Sequence, residues 1–221
     1  MLSDAAIPDR EVAVARGRWP GWLARYRTNH PDTVAAATAT EVRLDSPDGA
    51  RAVVSVPFPP LDPDAGTTGD AALDALTRHI ARDHRFGVLL VRRGGHAVGV
   101  FEGDRLVVSK IGGGYVQGRT KAGGWSQQRY ARRRANQTRQ VYEAAAELAV
   151  RLLLPETDRL EALVTGGHRE GVEAVLADQR LAALRRLVRP GLVPTADPRL
   201  RVLEEVGTAA LAVSVTLNAL A

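Results

Sequence analysis

The chain has 221 residues, 45% of them hydrophobic, enough for one substantial core or one core with a small appended unit. Its formal charge of +5 and pI near 10.2 favour acidic partners such as nucleic acid or a membrane surface. It contains no cysteine, which excludes disulfides, thiol nucleophiles and thiolate metal sites.

The basic residues are nearly all arginine; Lys110 and Lys121 are the two lysines. With so many alanines and valines, arginine abundance fits a GC-rich coding bias, so placement says more than number. Nine basic residues and no acidic one lie between Arg105 and Tyr142. The N-terminus carries Asp4, Asp9 and Glu11 instead of a basic and then apolar run, so no secretory signal is expected. The apolar stretch Ala209 to Val215 is too short to span a bilayer. A cytoplasmic protein without a membrane partner is the expectation.

Residues 1–36 read as a polar N-terminal segment packing on the main body. Within it Trp22, Leu23 and Tyr26 have helical spacing, and Pro20 limits helix before them. Glu41–Leu44 and Ala52–Pro57 flank Asp45-Ser46-Pro47-Asp48-Gly49, a strand, turn and strand. A proline- and glycine-rich loop over 59–70 leads to a helix capped by Asp70 and running to about Asp83. Phe86–Arg92, His96–Phe101 and Arg105–Ile111, separated by Gly94-Gly95 and Gly103-Asp104, read as a meander.

A glycine-rich loop follows from Gly112 to Ser126. Ser126 is the expected N-cap of a helix reaching Leu153, before Pro155. Val141, Ala144, Ala145, Leu148, Ala149 and Leu152 form its apolar stripe, and Arg129, Arg132, Arg133 and Asn136 share another face. Leu160–Thr165 reads as a buried strand, and Gly166-Gly167-His168 turns into a helix over Arg169–Leu176. Short helices near Leu181–Leu187 and Arg199–Gly207 and a last strand over Ala212–Leu217 complete the chain. Strands alternating with helices after a meander imply an α/β fold, a mixed sheet with helices packed on it. Residues 37–221 form its single domain.

Few constellations carry chemistry. His79 and His84 are five apart, a spacing that does not align metal ligands on one helix face. Gly124-Trp125-Ser126-Gln127-Gln128 lacks the second glycine of a nucleophile elbow. Ile111-Gly112-Gly113-Gly114 lacks the Gly-Lys-Ser/Thr ending of a phosphate loop. Gly166-Gly167-His168 is either a tight packing turn or a phosphate cradle at a helix N-terminus. No metal and no small-molecule cofactor is expected. What remains is Gly123-Gly124, the glutamines and the arginines beyond them. Glycines allow close backbone approach, a neutral carboxamide orients water or a carbonyl without ionising, and arginines hold phosphates.

Gly123-Gly124-Trp125-Ser126-Gln127-Gln128-Arg129-Tyr130-Ala131-Arg132 resembles the Gly-Gly-Gln loop and basic helix of eukaryotic and archaeal class-one release factors. More closely, it resembles the actinobacterial release-factor-like (VLRF-type) peptidyl-tRNA hydrolases, whose Gly-x-x-Gln reads here as Gly124-Trp125-Ser126-Gln127. Arg18-Trp19-Pro20-Gly21-Trp22-Leu23 and the order of elements agree with that family. The resemblance implies an RNase-H-like core and hydrolysis of the ester between peptide and tRNA on the large ribosomal subunit of stalled complexes. Gln127 would position water, with Gly123 and Gly124 letting the backbone fold against the tRNA terminus. Lys121, Arg129, Arg132 and Arg133, with Arg119 and Arg134, would contact rRNA or tRNA. Trp125 follows Gly123-Gly124 where a strict Gly-Gly-Gln has its glutamine, and two glutamines compete, so Gln128 stays open as the working glutamine.

Overall fold

The computed structural model describes residues 9–62, 66–113 and 125–221, the last range by backbone alone as far as residue 131. In chain order the elements are β1 (Arg10–Val14), α1 (Trp19–Asn29), β2 (Val34–Ala37), β3 (Glu41–Asp45), β4 (Arg51–Ser55) and α2 (Gly69–Ala81). Next come β5 (Arg85–Arg92), β6 (Gly95–Glu102), β7 (Arg105–Gly113), α3 (Trp125–Leu152), β8 (Ala162–Gly167) and α4 (Arg169–Leu176). The chain ends with α5 (Ala182–Arg185), α6 (Leu200–Ala210) and β9 (Val213–Leu217). The fold is mixed α/β, but the single mixed sheet expected from the sequence is two sheets. One compact unit is Met1–Asp83 with Ala209–Ala221, and the other is His84–Thr208.

The first unit is built on the antiparallel sheet β1-β9-β4-β3-β2. Alternation decides its faces. Val42, Leu44, Ala52, Val54, Val213 and Val215 point inward and join Leu73, Leu76 and Ile80 of α2 in one core. The aromatic cluster is part of that core: Trp19 stacks on Trp22 and Trp22 on Tyr26, each pair 5.4 Å apart, and Trp19 Nε1 donates to Thr77 Oγ1 at 3.1 Å. Asp70 is not the cap of α2. The helix starts earlier, Thr68 holds the N-cap position, and Asp70 lies in the first turn, paired with Arg27 at 3.0 Å.

The second unit carries the four-stranded sheet β7-β6-β5-β8. The meander is present, and β8 lies parallel to β5, the crossover between them containing α3. Helices cover both faces, which is why β5 and β6 are buried almost throughout. On one face Leu89, Val91, Val98 and Val100 pack with Val141, Ala145, Leu148 and Ala149 of α3 and Val172 and Val175 of α4. On the other, α6 interlocks with β6 by size. A Cβ on Gly99 would sit 2.9 Å from Leu203 Cδ2, and one on Gly207 would sit 2.3 Å from the Phe101 ring. Helix and strand thus meet large side against small at two successive positions.

Candidate nucleic-acid interface

Helix α3 has 28 residues, about 42 Å at 1.5 Å per residue. Its C-terminal half is held by the apolar stripe: Val141, Ala145, Leu148 and Ala149 are buried, whereas Ala144, counted in that stripe from the sequence, is exposed. Its N-terminal half carries the arginines. Arg132 and Arg133 are exposed and Arg134 is half-buried, and none of the three pairs with a described residue. Arg139, by contrast, donates to Asn136 Oδ1 at 3.0 Å and lies 3.9 Å from Glu143.

The helix begins at Trp125, so Ser126 is inside it rather than its cap; terminal residues are the least determined by local sequence. Gln127, Gln128 and Arg129 therefore belong to the first turns of α3. Their side chains, and Arg119, Lys121, Gly123 and Gly124 entirely, lie outside the described residues. The first turn of a helix has N–H groups without intrahelical acceptors and the positive end of the helix dipole.

Strand β7 continues two residues beyond the expected Ile111, with Gly112 opposite His96 and Gly113 opposite Gly95. Both glycines have a packing reason. A Cβ on Gly112 would lie 2.3 Å from His96 Nε2, and one on Gly113 would lie 3.1 Å from the Gly94 carbonyl. His96 is 5% exposed, its Nδ1 is sealed without a partner among the described residues, and burial pushes its pKa below the ordinary imidazole value.

Two clefts flank α3. One, of about 910 Å³, includes Arg93, Arg139, Tyr142, Glu143, Glu170 and Arg180 among its lining. Most of its charges are paired; Arg134, which also lines it, pairs with no described residue. Arg180 holds Glu147 at 2.6 Å and Asp178 at 2.7 Å, and Arg93 faces Glu170 at 3.8 Å. The Arg180 guanidinium keeps the Asp178 carboxyl down at about 2 and lowers that of Glu147. Burial raises the Tyr142 hydroxyl. The other cleft, of about 830 Å³, lies between α3 and the end of β7, with His96, Lys110, Gln137, Gln140 and Arg151 in its walls. The sequence reading did not single out Gln137, Gln140 and Arg151, although their spacing puts them in helical phase with Arg133.

The turn Gly166-Gly167-His168 is a packing turn. The N–H groups of Gly167 and His168 donate to Val193 (3.0 Å) and Val91 (2.7 Å) carbonyls. Gly167 has φ +97°, and a Cβ there would meet the Val91 carbonyl at 2.3 Å. Three of the four histidines outside the cleft have local partners: His30 with Asp48 (2.7 Å), His79 with the Pro57 carbonyl (2.6 Å) and His84 with Glu161 (2.9 Å). Among the described residues, no three His, Asp or Glu side chains are grouped as a metal would require, and no helix is long and apolar enough to cross a membrane.

Comparison with known proteins assigns the fold unit that carries this helix. Residues 84–216 match the Actinobacteria/chloroflexi VLRF1 release factor family, starting where the second unit starts. The chain belongs to that family. It is 30% identical over 138 residues to peptide chain release factor subunit 1 of Aeropyrum pernix, covering 60% of this chain and 36% of that protein. It is 30% identical over 95 residues to peptide chain release factor subunit 1 of Archaeoglobus fulgidus, covering 43% of this chain and 23% of that protein. The chain thus spans about a third or less of these curated relatives. Among solved structures it is similar to an archaeal translation termination factor, aRF1, at 18% identity and a TM-score of 0.45, covering 93% of this chain and 68% of that one. An archaeal protein aligns at 19% identity and a TM-score of 0.42, covering 74% and 48%.

Proposed function

We propose that this release-factor family member is a peptidyl-tRNA hydrolase that frees nascent peptides from stalled ribosomal complexes in the cytoplasm. The supporting observation is one of order along the chain. Gly123-Gly124 precedes the glutamine pair Gln127-Gln128, and the helix bearing that pair continues into Arg132, Arg133 and Arg134, which no described carboxylate neutralises. The partners are peptidyl-tRNA and the rRNA of the large subunit. Arg119, Lys121 and Arg129 would add further phosphate contacts. The sheet order, a three-strand meander with a fourth strand parallel to its first, supports the RNase-H-like assignment of the core.

The reaction is hydrolysis of an ester. Water oxygen attacks the peptidyl carbonyl carbon, an oxyanion develops, and the bond to the tRNA 3′ oxygen breaks. That oxygen leaves with a proton, giving a free peptide acid and deacylated tRNA. Between Gly112 and Arg129 the sequence has no histidine and no carboxylate to serve as a general base. The Gln127 carboxamide therefore acts by orienting water, with Gln128 as the competing candidate. The open N–H groups of the first turn of α3 are suited to the developing oxyanion. Gly123 and Gly124 permit close approach of the backbone to the tRNA end. Substrate and ribosomal groups supply the remaining proton transfers, so release from ribosome-bound peptidyl-tRNA exceeds release from the free substrate.

The rival reading is a ribosome or tRNA binder without catalysis, using the same helix. Peptide release by wild type, Gln127→Ala and Gln128→Ala separates the two. Loss of about 100-fold in release rate with binding retained in one variant supports hydrolysis. Binding by the wild type without release supports the rival.

A further inference from the structure

We infer that RNA lies along one particular flank of α3, the side facing β7, with an unstacked nucleotide of a single strand seated in the cleft between them. The inference rests on the RNA-binding part of the proposed function and adds Lys110, Gln137, Gln140 and Arg151 to it.

Helical phase gives the first argument. At about 100° per residue, Arg133, Gln137, Gln140, Ala144 and Arg151 fall within roughly 60° of arc. The stripe from Arg133 to Arg151 is about 27 Å long. Gln137, Gln140, Ala144 and Arg151 all line the cleft, and Lys110 faces them from β7. Exposed Ala144 leaves the middle of the stripe low, so a ligand can approach the helix there.

Charge gives the second. Lys110, Arg133 and Arg151 make no ion pair or hydrogen bond with a described residue. The carboxylate on this flank, Glu147, is held by Arg180 at 2.6 Å. A phosphate entering here meets uncompensated cations. On the opposite flank the unpaired Arg134 stands among Glu143, Glu170 and Asp178, each already facing an arginine, so a phosphate there meets carboxylates as well as a cation.

The lining gives the third. Between the cations lie apolar Ile111, Val141 and Leu148, the buried His96 ring and two carboxamides. Amides offer donor and acceptor together, as a base edge requires. The volume of about 830 Å³ is within the ~300–1,000 Å³ range of small-ligand sites. A base reaches such a cleft only when unstacked, which selects single-stranded RNA over duplex.

The test is fluorescence anisotropy of the full chain with a labelled oligouridylate of about 12 nucleotides, at salt between ~50 and 200 mM. Lys110→Ala/Arg151→Ala is expected to weaken binding about tenfold and flatten the logarithmic salt slope by about 1.4, two phosphate contacts at ~0.7 each. Gln137→Ala/Gln140→Ala is expected to weaken binding severalfold at unchanged slope. Arg139→Ala, on the far flank, binds as wild type. Wild-type affinity and slope in Lys110→Ala/Arg151→Ala overturn the assignment. If Arg132→Ala/Arg134→Ala then weakens binding, RNA uses another side of α3 and the proposed function survives. If that pair is also silent, both readings fall.

Discussion

Replacing Gly207 by alanine tests how the second unit is closed from behind. In an exposed helix interior the change is favourable by about 1 kcal/mol, because glycine loses more backbone freedom on folding. Here the new methyl would sit 2.3, 2.4 and 2.9 Å from three carbons of the Phe101 ring. The ring has little room to move. It stacks on fully buried Phe86 with centroids 5.2 Å apart and planes 8° from parallel. Overpacking of this kind costs about 1–3 kcal/mol, and contact this close belongs at the upper end. The net expectation is destabilisation by about 1–2 kcal/mol, a fall in Tm of roughly 2–8 °C for a chain of this size. Thermal and urea unfolding followed by circular dichroism measure it. In a Phe101→Leu background the ring is gone, and the same substitution becomes neutral or stabilising. A Gly207→Ala protein at least as stable as wild type would refute the interlock between α6 and β6.

Titration supplies two further expectations. Burial holds the folded pKa of His96 below its unfolded value, so the unfolded chain takes up the proton first as pH falls. Stability drops below about pH 6.5 and continues down to the folded pKa; urea midpoints at pH 7.5 and 5.5 should differ less in His96→Leu. Asp178 is held at about 2 by hydrogen bonds from Arg180, so its contribution is present above about pH 4 and is lost as pH falls toward 2. In Arg180→Ala, carboxyl-carbon NMR should find the Asp178 pKa raised toward the ordinary 3.8 but still below it, because the residue-180 backbone N–H continues to donate to the carboxylate; an unmoved value contradicts the pairing. Arg132→Glu/Arg133→Glu should bind RNA at least tenfold more weakly, with a shallower salt slope, while melting within a few degrees of wild type.

Local signals in the sequence were strong where one interaction range decided the structure. The β5–β7 meander is marked by Gly94-Gly95 and Gly103-Asp104, and α4 begins and ends at the residues its apolar spacing gives. The two sheets were not legible. β1 is a short stretch, Arg-Glu-Val-Ala-Val, that becomes a strand only by pairing with β9 from the far end of the chain. Nothing in the Val213–Leu217 alternation says that it joins β4 and β1 rather than β8. β2, Val-Ala-Ala-Ala, has helical composition and is a strand because β3 fixes it. The exposure of Arg132 and Arg133 on α3 was readable from spacing alone. The difference between its two flanks was not, because it depends on carboxylates brought in from α4 and from residue 178.

The chemistry is reached by one measurement: the rate at which purified protein liberates peptide from ribosome-bound peptidyl-tRNA, compared among wild type, Gln127→Ala and Gln128→Ala. The expected result is release by the wild type and near-complete loss in one glutamine variant that still binds the complex. Undiminished release in both variants, or wild-type binding with no release, would contradict it.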